Sequence, residues 1–182
     1  MKEIRCFVSK DREEQYINKK CSKGYALKKI SLLAGEIIPF SVYTFGKCEP
    51  DEFDYKICMM PDKDDDAIYV YAEQIKPTGA KLIALMEKCA YFRNKGKFII
   101  PLEGTDSANK AKYYRLRAKK SFTTAGFCFA FLLVNAGLLL SGGSGSPVIA
   151  IITAGLAGFV GIIHEVIALG SKKNAKANEI TE

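Results

Sequence analysis

The sequence predicts an α+β fold, in which a small antiparallel-sheet domain of two helix-strand-strand repeats is followed by a two-helix transmembrane hairpin. Two apolar runs, residues 122–140 and 147–169, are separated only by the polar residues 141–146 and predict the hairpin. Each run approaches the roughly 20 residues that a helix needs to cross a hydrocarbon core of about 30 Å. The segment after Gly24 is echoed after Gly79, which predicts the repeats.

The 182 residues divide into four predicted segments. Residues 1–104 are a cytoplasmic α+β domain, 105–120 a basic juxtamembrane helix, 121–170 the transmembrane hairpin and 171–182 a polar cytoplasmic tail. The length of the first segment is sufficient for one modest core. The chain begins without the apolar run of a secretory signal, so we expect the first domain to stay in the cytoplasm.

The first half of the domain reads as one strand, one helix and three further strands. Residues 4–8 are β-prone, and an acidic residue at Asp11 with another at Glu14 predicts a capping box at a helix start. The helix is expected to end near Gly24, which suits a left-handed turn. Three antiparallel strands are predicted at residues 25–33, 37–45 and 53–59, with Pro39 at a strand start or edge.

The second half is predicted to begin with a helix over residues 67–75. Four aspartates in residues 61–66 favour an acidic helix cap rather than a calcium site, because the ligand spacing of an EF-hand loop is absent. Residues 80–93 have a helix-favouring composition. The echo of the first half instead favours a hairpin, which we prefer. Residues 104–107, Gly-Thr-Asp-Ser, then carry an N-cap signal for the basic helix.

Basic residues are concentrated beside the apolar runs, although the whole chain carries a formal net charge of +7. Residues 1–107 hold 18 basic and 17 acidic residues and are nearly neutral. Positive flanks favour a cytoplasmic location for both termini and attract anionic headgroups. We predict membrane-surface anchoring without direct nucleic-acid binding, and the alternative is that the basic stretch recognises a particular lipid or nucleic acid. The anchoring residues are Lys110, Lys112, Arg115, Arg117, Lys119, Lys120, Lys172 and Lys173.

Small residues recur at four-residue spacing in both apolar runs, which allows close helix contact. We predict that these residues pack the two helices of the hairpin against each other or, alternatively, pack two chains together in a homodimer. His164 and Glu165 are adjacent near the end of the second run, where an interfacial or helix-helix role is favoured over proton handling. The predicted packing residues are Gly126, Ala130, Ala154, Gly158 and Gly161.

The sequence offers no catalytic, cofactor or metal site. The six cysteines lack a Cys-x-x-Cys pair and are predicted to be small buried residues rather than a disulfide framework. A nucleophile needs a base and an orienting group, but the only histidine, His164, lies in the second apolar run. We therefore predict that the protein is not an enzyme.

The order of these features resembles a family of uncharacterised bacterial proteins, the domain of unknown function number 2812. The likeness covers residues 3–120 and departs where the family carries tryptophan, since this chain has none. The resemblance implies a membrane protein often encoded beside PadR-like transcriptional regulators, and it supplies no catalytic residues. The elements that carry it are residues 4–8 and 11–23, Gly24 with Leu27, Tyr43 with Phe45, Glu49 and Pro50, Phe53 with Tyr55, Gly79, Tyr91 with Arg93, and Thr105 with Asp106.

These features together predict a multi-pass protein of the bacterial cell membrane with both termini in the cytoplasm. Its cytoplasmic domain is expected to bind a protein or small ligand in a signalling or regulatory role, with a PadR-like transcriptional regulator as the candidate partner. The alternative is an accessory subunit of a membrane complex or exporter. The lipid bilayer is the one partner that both interpretations share.

Overall fold

A computed structural model describes residues 1–34, 38–140 and 147–180. The class is mixed α+β, with two small antiparallel sheets and a long apolar C-terminal helix. The predicted turn at 34–36 lies mostly, and the polar loop 141–146 wholly, outside the described residues. The elements in chain order are β1 (Lys2–Arg5), α1 (Lys10–Cys21), β2 (Tyr25–Ala34), β3 (Ile38–Lys47), β4 (Phe53–Met59), α2 (Asp65–Ile75), a 3-10 turn (Lys76–Thr78), β5 (Lys81–Met86), β6 (Cys89–Lys95), α3 (Ser107–Leu140) and α4 (Pro147–Glu179).

The chain contains two β-α-β-β repeats, and each repeat forms its own three-stranded sheet. The strand orders β1-β3-β2 and β4-β6-β5 place the same three strands in the same arrangement. Gly24 and Gly79 precede the second strand of each repeat and have φ angles of 79° and 91°, where other residues are strained. Each second strand also has a bulge, at Lys28 and at Ile83. The predicted repeat is confirmed, with one strand more per repeat.

The strand pairing is not a run of three consecutive antiparallel strands. β2 and β3 pair as predicted, but β4 lies beside β6 in the second sheet. The third place in the first sheet belongs to β1, which covers residues 2–5 rather than the predicted 4–8. Pro39 is the second residue of β3, in agreement with a position at a strand start. The segment 80–93 is the preferred hairpin, formed by β5 and β6.

Side chains of α1 occupy the free edge of β4. Asn18 accepts a hydrogen bond from the Tyr55 N–H at 2.9 Å and donates one to the Tyr55 carbonyl at 3.0 Å. Glu14 accepts from the Ile57 N–H at 2.9 Å. The predicted capping box is therefore wrong, because Glu14 binds β4 and the residue that precedes the helix is Ser9. An edge covered in this way is not available for pairing with another strand.

The acidic caps of the next two helices are as predicted. Asp64 accepts from the Ala67 N–H at 2.7 Å at the start of α2. Asp106 accepts from the Asn109 N–H at 2.9 Å at the start of α3. Both carboxylates satisfy N–H groups that have no partner within their helix and lie at its positive end.

The second sheet is buried on both faces. Tyr55, Ile57 and Tyr91 belong to a core that α1 and the first sheet share. Cys58 and Phe92 point to the opposite face and pack with α2. The core of the first repeat also includes side chains from α3 and α4, so the long helices are part of the domain at their near ends.

The two long helices run antiparallel, and their facing positions are spaced alternately by three and four residues. This is the spacing of a coiled-coil seam, and the residues in it are mostly small, which brings the helix backbones close together. α3 is continuous from the basic segment into the apolar run, so the domain and the apolar region share one rigid element. The buried and half-buried seam positions are Ala111, Tyr114, Ala118, Ser121, Ala125, Cys128, Leu132 and Asn135 in α3, and Ala150, Ala154, Ala157, Gly161, His164, Ala168, Ser171 and Ala175 in α4.

Candidate functional site

A buried polar cluster of Lys10, Glu13, Tyr43 and Tyr91 joins the two repeats. The Tyr43 and Tyr91 hydroxyls donate to the same carboxylate oxygen, Oε1 of Glu13, at 2.7 and 2.6 Å. Lys10 Nζ donates to Glu13 Oε2 at 2.9 Å and to the Tyr91 hydroxyl at 2.8 Å. Lys10 and Glu13 are 3% and 1% exposed, so the pair is cut off from water.

The two tyrosines of this cluster occupy equivalent places in the repeats. Tyr43 pairs with Glu3 and Ile30 across the central strand of the first sheet, and Tyr91 pairs with Ile57 and Ala84 in the second. Their hydroxyls meet on one α1 carboxylate because the two sheets lie against the same helix. The cluster therefore marks the contact between the repeats.

Mutual attraction keeps both charges of the cluster ionised. Burial by itself raises the pKa of Glu13, but the Lys10 charge and the hydrogen bonds from the tyrosines outweigh it, so that pKa lies below the usual range. Burial likewise lowers the pKa of Lys10, and the Glu13 charge more than restores it. Desolvation and the Glu13 charge raise the pKa of Tyr91 far above its ordinary value. The cluster is a salt bridge with neutral phenols at neutral pH.

α3 is attached to the beginning of α1 beside this cluster. The Tyr114 hydroxyl accepts from the Lys10 N–H at 2.8 Å. Arg117 Nη1 and Nη2 donate to the carbonyls of Val8 and Phe7 at 3.0 and 2.9 Å. These contacts connect the chain segment after β1 to the long helix, so the orientation of α3 depends on the start of α1.

A cavity of about 390 Å³ lies between the β5–β6 turn and the two long helices, and Arg117 is part of its wall. We call it the junction cavity; its wall includes Leu85, Glu87, Tyr113, Arg117 and His164. Its volume falls within the range of small-molecule sites. Glu87 Oε2 is 3.9 Å from Lys10 Nζ, so the cavity borders the buried polar cluster.

The β5–β6 turn has an unfavourable backbone where it borders the junction cavity. Its two central residues, Glu87 and Lys88, have φ angles of 51° and 60°. Tight hairpins of this kind normally place Gly or Asn at such positions. Strained residues held by their surroundings are concentrated at functional sites, and this turn is one wall of the cavity.

The predicted anchoring residues divide into two groups. Lys119, Lys120, Lys172 and Lys173 are exposed on the helix pair. The other four are placed by contacts within the protein, and whether any of the eight lies at a bilayer surface stays a prediction. The contacts are Lys110 with Asp11 at 2.7 Å, Lys112 with Asp62 at 2.5 Å, Arg115 with Glu179 at 2.6 Å, and Arg117 with the two carbonyls given above.

The predicted packing residues of α4 lie in the seam or directly beside it. A Cβ added at Gly161 would lie 3.2 Å from Cys128 Cβ, and one added at Gly158 would lie 3.1 Å from Leu132 Cδ1. Ala154 is half-buried in the same seam.

In α3 the packing residues lie on a different face from the one predicted. Gly126 and Ala130 are exposed, and within the described part of the chain no atom lies within 4 Å of a Cβ added at Gly126. The seam positions in this stretch are Ala125 and Cys128. Gly126 and Ala130 therefore do not pack the described hairpin, and a role in a homodimer stays a prediction.

The cysteines are free thiols, and burial raises the pKa of four of them, Cys6, Cys48, Cys58 and Cys89. Burial raises the pKa of Cys48 and of Cys89 to about 11. The Sγ atoms of Cys21 and Cys48 are 4.0 Å apart, which is a contact and not a disulfide. Thiols of this kind are weak nucleophiles at neutral pH, because the thiolate is the reactive form.

The buried polar cluster and the junction cavity were missed in the sequence. In the sequence nothing distinguishes Lys10 and Glu13 from the other charged residues around them, and Tyr113 lies in the basic segment without a motif of its own. One signal was available: Tyr43 and Tyr91 already matched each other in the repeat, and polar residues at equivalent core positions suggest a shared partner. The partner on α1 could not be identified without the packing of the sheets.

One described helix, covering Val148–Glu179, is long and apolar enough to cross a membrane, as judged by length and composition. Only 11% of its most apolar 18-residue window is buried. Residues 9–126 match the family model described as Protein of unknown function (DUF2812). No curated protein and no solved structure matches the chain significantly.

Proposed function

The chain belongs to the DUF2812 family of proteins of unknown function, and we propose that it is a membrane-anchored binding protein with a regulatory role. Its two long helices cross the bilayer as a hairpin, and both chain ends remain with the α+β domain in the cytoplasm. The domain binds a protein or small ligand at the surface of the membrane. Binding, rather than chemistry, carries the function.

The observation that carries the proposal is the outer surface of the helix pair. Residues 121–163 contain no charged side chain. In the described parts of this stretch, residues 121–137 and 148–163, many large apolar side chains are exposed, among them Phe127, Leu133 and Phe159 at 74%, 70% and 61%. A core helix of a soluble protein would be covered, and soluble monomers rarely expose apolar patches beyond a few hundred Å². Lipid is the cover that this surface fits.

The position of the charges supports the orientation. Both helices return to the α+β domain, and Lys119, Lys120, Lys172 and Lys173 surround the pair at that end. The residues that connect the two helices in the sequence, 141–146, carry no charge. Basic residues remain on the cytoplasmic side, so the domain is cytoplasmic and the hairpin exposes almost nothing on the other side.

A PadR-like transcriptional regulator is our proposed partner, on the basis of the family resemblance. Tethering would change the effective concentration of such a regulator near DNA. Affinity purification of the full chain in mild detergent, from its native cells, tests the partnership. Co-purification of the regulator, together with altered reporter expression on deletion, is expected. A regulator that never co-purifies and an unchanged reporter would contradict it.

The second candidate is an accessory subunit of a membrane complex. The open face of α3 favours it, because no atom of the described residues lies within 4 Å of a Cβ added at Gly126, which leaves room for another helix. Gly126→Leu separates the candidates. If it abolishes function while partner binding by the domain is intact, the accessory role is correct; if function is unchanged, the tether is favoured.

A further inference from the structure

The short helix of each repeat covers one face of the sheet in its own repeat. Ile17 of α1 packs with Tyr43 of the first sheet, and Ile68 of α2 packs with Phe92 of the second. α1 also lies on the opposite face of the second sheet, where Ile57 belongs to the same core as Ile17. One helix is thus held between two sheets, while among the described residues α2 packs on a single sheet.

The first sheet has a face directed away from α1, which we call the outer face. Successive residues of a strand point to opposite faces, and directly paired residues share a face. Since Tyr43 and Phe45 face α1, the outer face comprises Lys2, Ile4, Lys29, Ser31, Val42 and Thr44. The first three are exposed, Ile4 at 56%, and the other three are half-buried. The corresponding face of the second sheet is the one that α1 covers.

α2 has an exposed stripe on the side away from its own sheet. The stripe consists of four residues at the three- and four-residue spacing of one helix face, Asp66, Tyr69, Val70 and Glu73. All four are exposed, and the two apolar side chains in the middle, Tyr69 and Val70, are 55% and 59% exposed. We call these four residues the α2 stripe.

The α2 stripe occupies the positions that α1 uses to bind the second sheet. Counted back from the glycine that follows each helix, Tyr69 matches Glu14 and Glu73 matches Asn18. Glu14 and Asn18 bind β4 by the hydrogen bonds given above. The fold therefore contains one contact between a helix and the sheet of the next repeat. The two halves of a second such contact, the α2 stripe and the outer face, are both open.

The two open surfaces are complementary in charge. The α2 stripe carries the carboxylates of Asp66 and Glu73 and no basic residue, and the outer face carries Lys2 and Lys29 and no acidic residue. The ion pair of Glu73 with Lys76 is exposed and contributes little. Each surface also has an apolar centre, and opposite charges around an apolar centre are typical of specific interfaces. Within one chain, α1 and the second sheet separate the two surfaces.

We propose that the protein associates with a second copy of itself, with the α2 stripe of one chain packed on the outer face of the other. The contact continues the order of sheet, helix, sheet and helix from one chain into the next. It joins two different surfaces, and it closes when the last chain binds the first. The inference goes beyond the proposed function and does not depend on it, because neither surface includes residues of the two long helices.

Photo-crosslinking in the full chain tests the contact directly. p-Benzoylphenylalanine replaces Tyr69 in unlabelled chains, which are mixed in mild detergent with chains labelled with nitrogen-15. Mass spectrometry should find labelled peptides that contain residues 2–5 or 29–31 attached to position 69. The same probe at Ile99, which is 92% exposed outside both surfaces, should give no such product. Products at position 69 that are confined to peptides of the same chain would overturn the proposal.

Sedimentation equilibrium in density-matched detergent measures the strength of the association. Val70→Asp and Ile4→Asp each place a charge at the apolar centre of the contact and should weaken association about tenfold or more. Both side chains are more than half exposed, so the thermal stability of each chain should hardly change. Ile99→Asp is the matched control and should leave the association constant unchanged. A wild-type chain that stays monomeric up to its highest soluble concentration would overturn the proposal.

Gly126→Leu distinguishes this contact from association through the long helices. Gly126 lies outside both surfaces, so the substitution should leave self-association unchanged. If Gly126→Leu abolishes self-association and Val70→Asp does not, the chains pair through their helices and the proposal is wrong. The contact requires two chains, so the α2 stripe should remain open to solvent in a vesicle or nanodisc that holds one chain. A chain that does not enter lipid contradicts the proposed function, and the same measurements then test self-association in plain buffer.

Discussion

The helix pair has two regions with one seam and two different exteriors. In the base, which comprises residues 107–121 and 164–179, most exposed side chains are charged and the domain packs against one side. In the tip, residues 122–137 and 148–163, the outside is apolar and exposed. The alternate three- and four-residue spacing of the seam runs through both. The small seam residues thus determine how the two helices pair. The outward-facing residues determine whether a region suits water, as in the base, or an apolar environment, as in the tip.

The difference also separates two kinds of polar contact. In the tip, the Thr153 hydroxyl lies 3.4 Å from Asn135 Oδ1 and also bonds backbone carbonyls of its own helix. In the base, polar groups connect separate elements, as Arg117 connects α3 to the segment before α1. Contacts within the base therefore fix the angle at which the helix pair leaves the domain.

Glu13→Gln should have the largest effect, and it should be confined to the domain and base. The substitution leaves the Lys10 charge buried without its partner, a loss of about 3–5 kcal/mol of unfolding free energy. Denaturant unfolding followed by circular dichroism measures it. Tyr16→Phe, which removes the hydroxyl that donates to the partly exposed Glu3, is the matched control and should cost much less.

The Glu13 carboxylate also makes the stability of the fold depend on pH, and stability should fall as the pH is lowered. Folding lowers the pKa of Glu13. The contribution of Glu13 to the unfolding free energy is therefore complete above the unfolded-state pKa near 4.5, and it is lost as the pH falls below that value. Glu3, with a pKa lowered to about 2 mainly by Lys20, loses its contribution between pH 4.5 and 2. Wild-type stability that stays flat from pH 7 to 3 would contradict this assignment.

Gly170→Leu should separate the base from the domain. A Cβ at this position would lie 2.2 Å from Val8 Cγ1, and the short branched side chain cannot move far. Overpacking of this kind costs about 1–3 kcal/mol, and we expect a value near the upper end. Faster hydrogen exchange at residues 7–10 measures the separation. Lys173→Leu, on the exposed side of the same helix, should leave that exchange unchanged.

Gly161→Leu should open the seam of the tip and leave the base in place. The new side chain would meet Cys128 and the Phe129 ring, at a cost of about 1–3 kcal/mol. Gly155→Leu is its control, since no atom lies within 4 Å of a Cβ there. Thermal unfolding in detergent compares the two. Equal effects of both substitutions would contradict the assignment of the seam.

Lys88→Gly should produce the smallest effect, a gain in stability. Glycine adopts the left-handed conformation of this turn without strain, which is worth about 1 kcal/mol. The ion pair of Lys88 with Asp65 is exposed and contributes little. A rise in the unfolding midpoint is expected, whereas a fall would mean that the lysine side chain is needed at the wall of the junction cavity.

Local patterns predicted most of the fold. Gly24 and Gly79 indicated the repeats, and Asp64 and Asp106 the helix caps, because these signals depend on neighbouring residues. The division into two sheets could not be predicted, since β4 pairs with a strand 30 or more residues away by register rather than composition. Gly126 was assigned to the wrong face because both faces of α3 carry small residues. The candidate site was missed because the polar cluster forms only when the two sheets pack on α1, and the junction cavity only when the long helices pack on the domain.

The depth of the tip in lipid tests the central claim most directly. The chain has no tryptophan, so a single introduced tryptophan is a unique reporter. In vesicles with brominated lipid, Phe159→Trp should be strongly quenched, while Tyr69→Trp on α2 should remain bright and accessible to dissolved iodide. Equal iodide quenching at both positions, with the full chain monodisperse in plain buffer, would contradict the account.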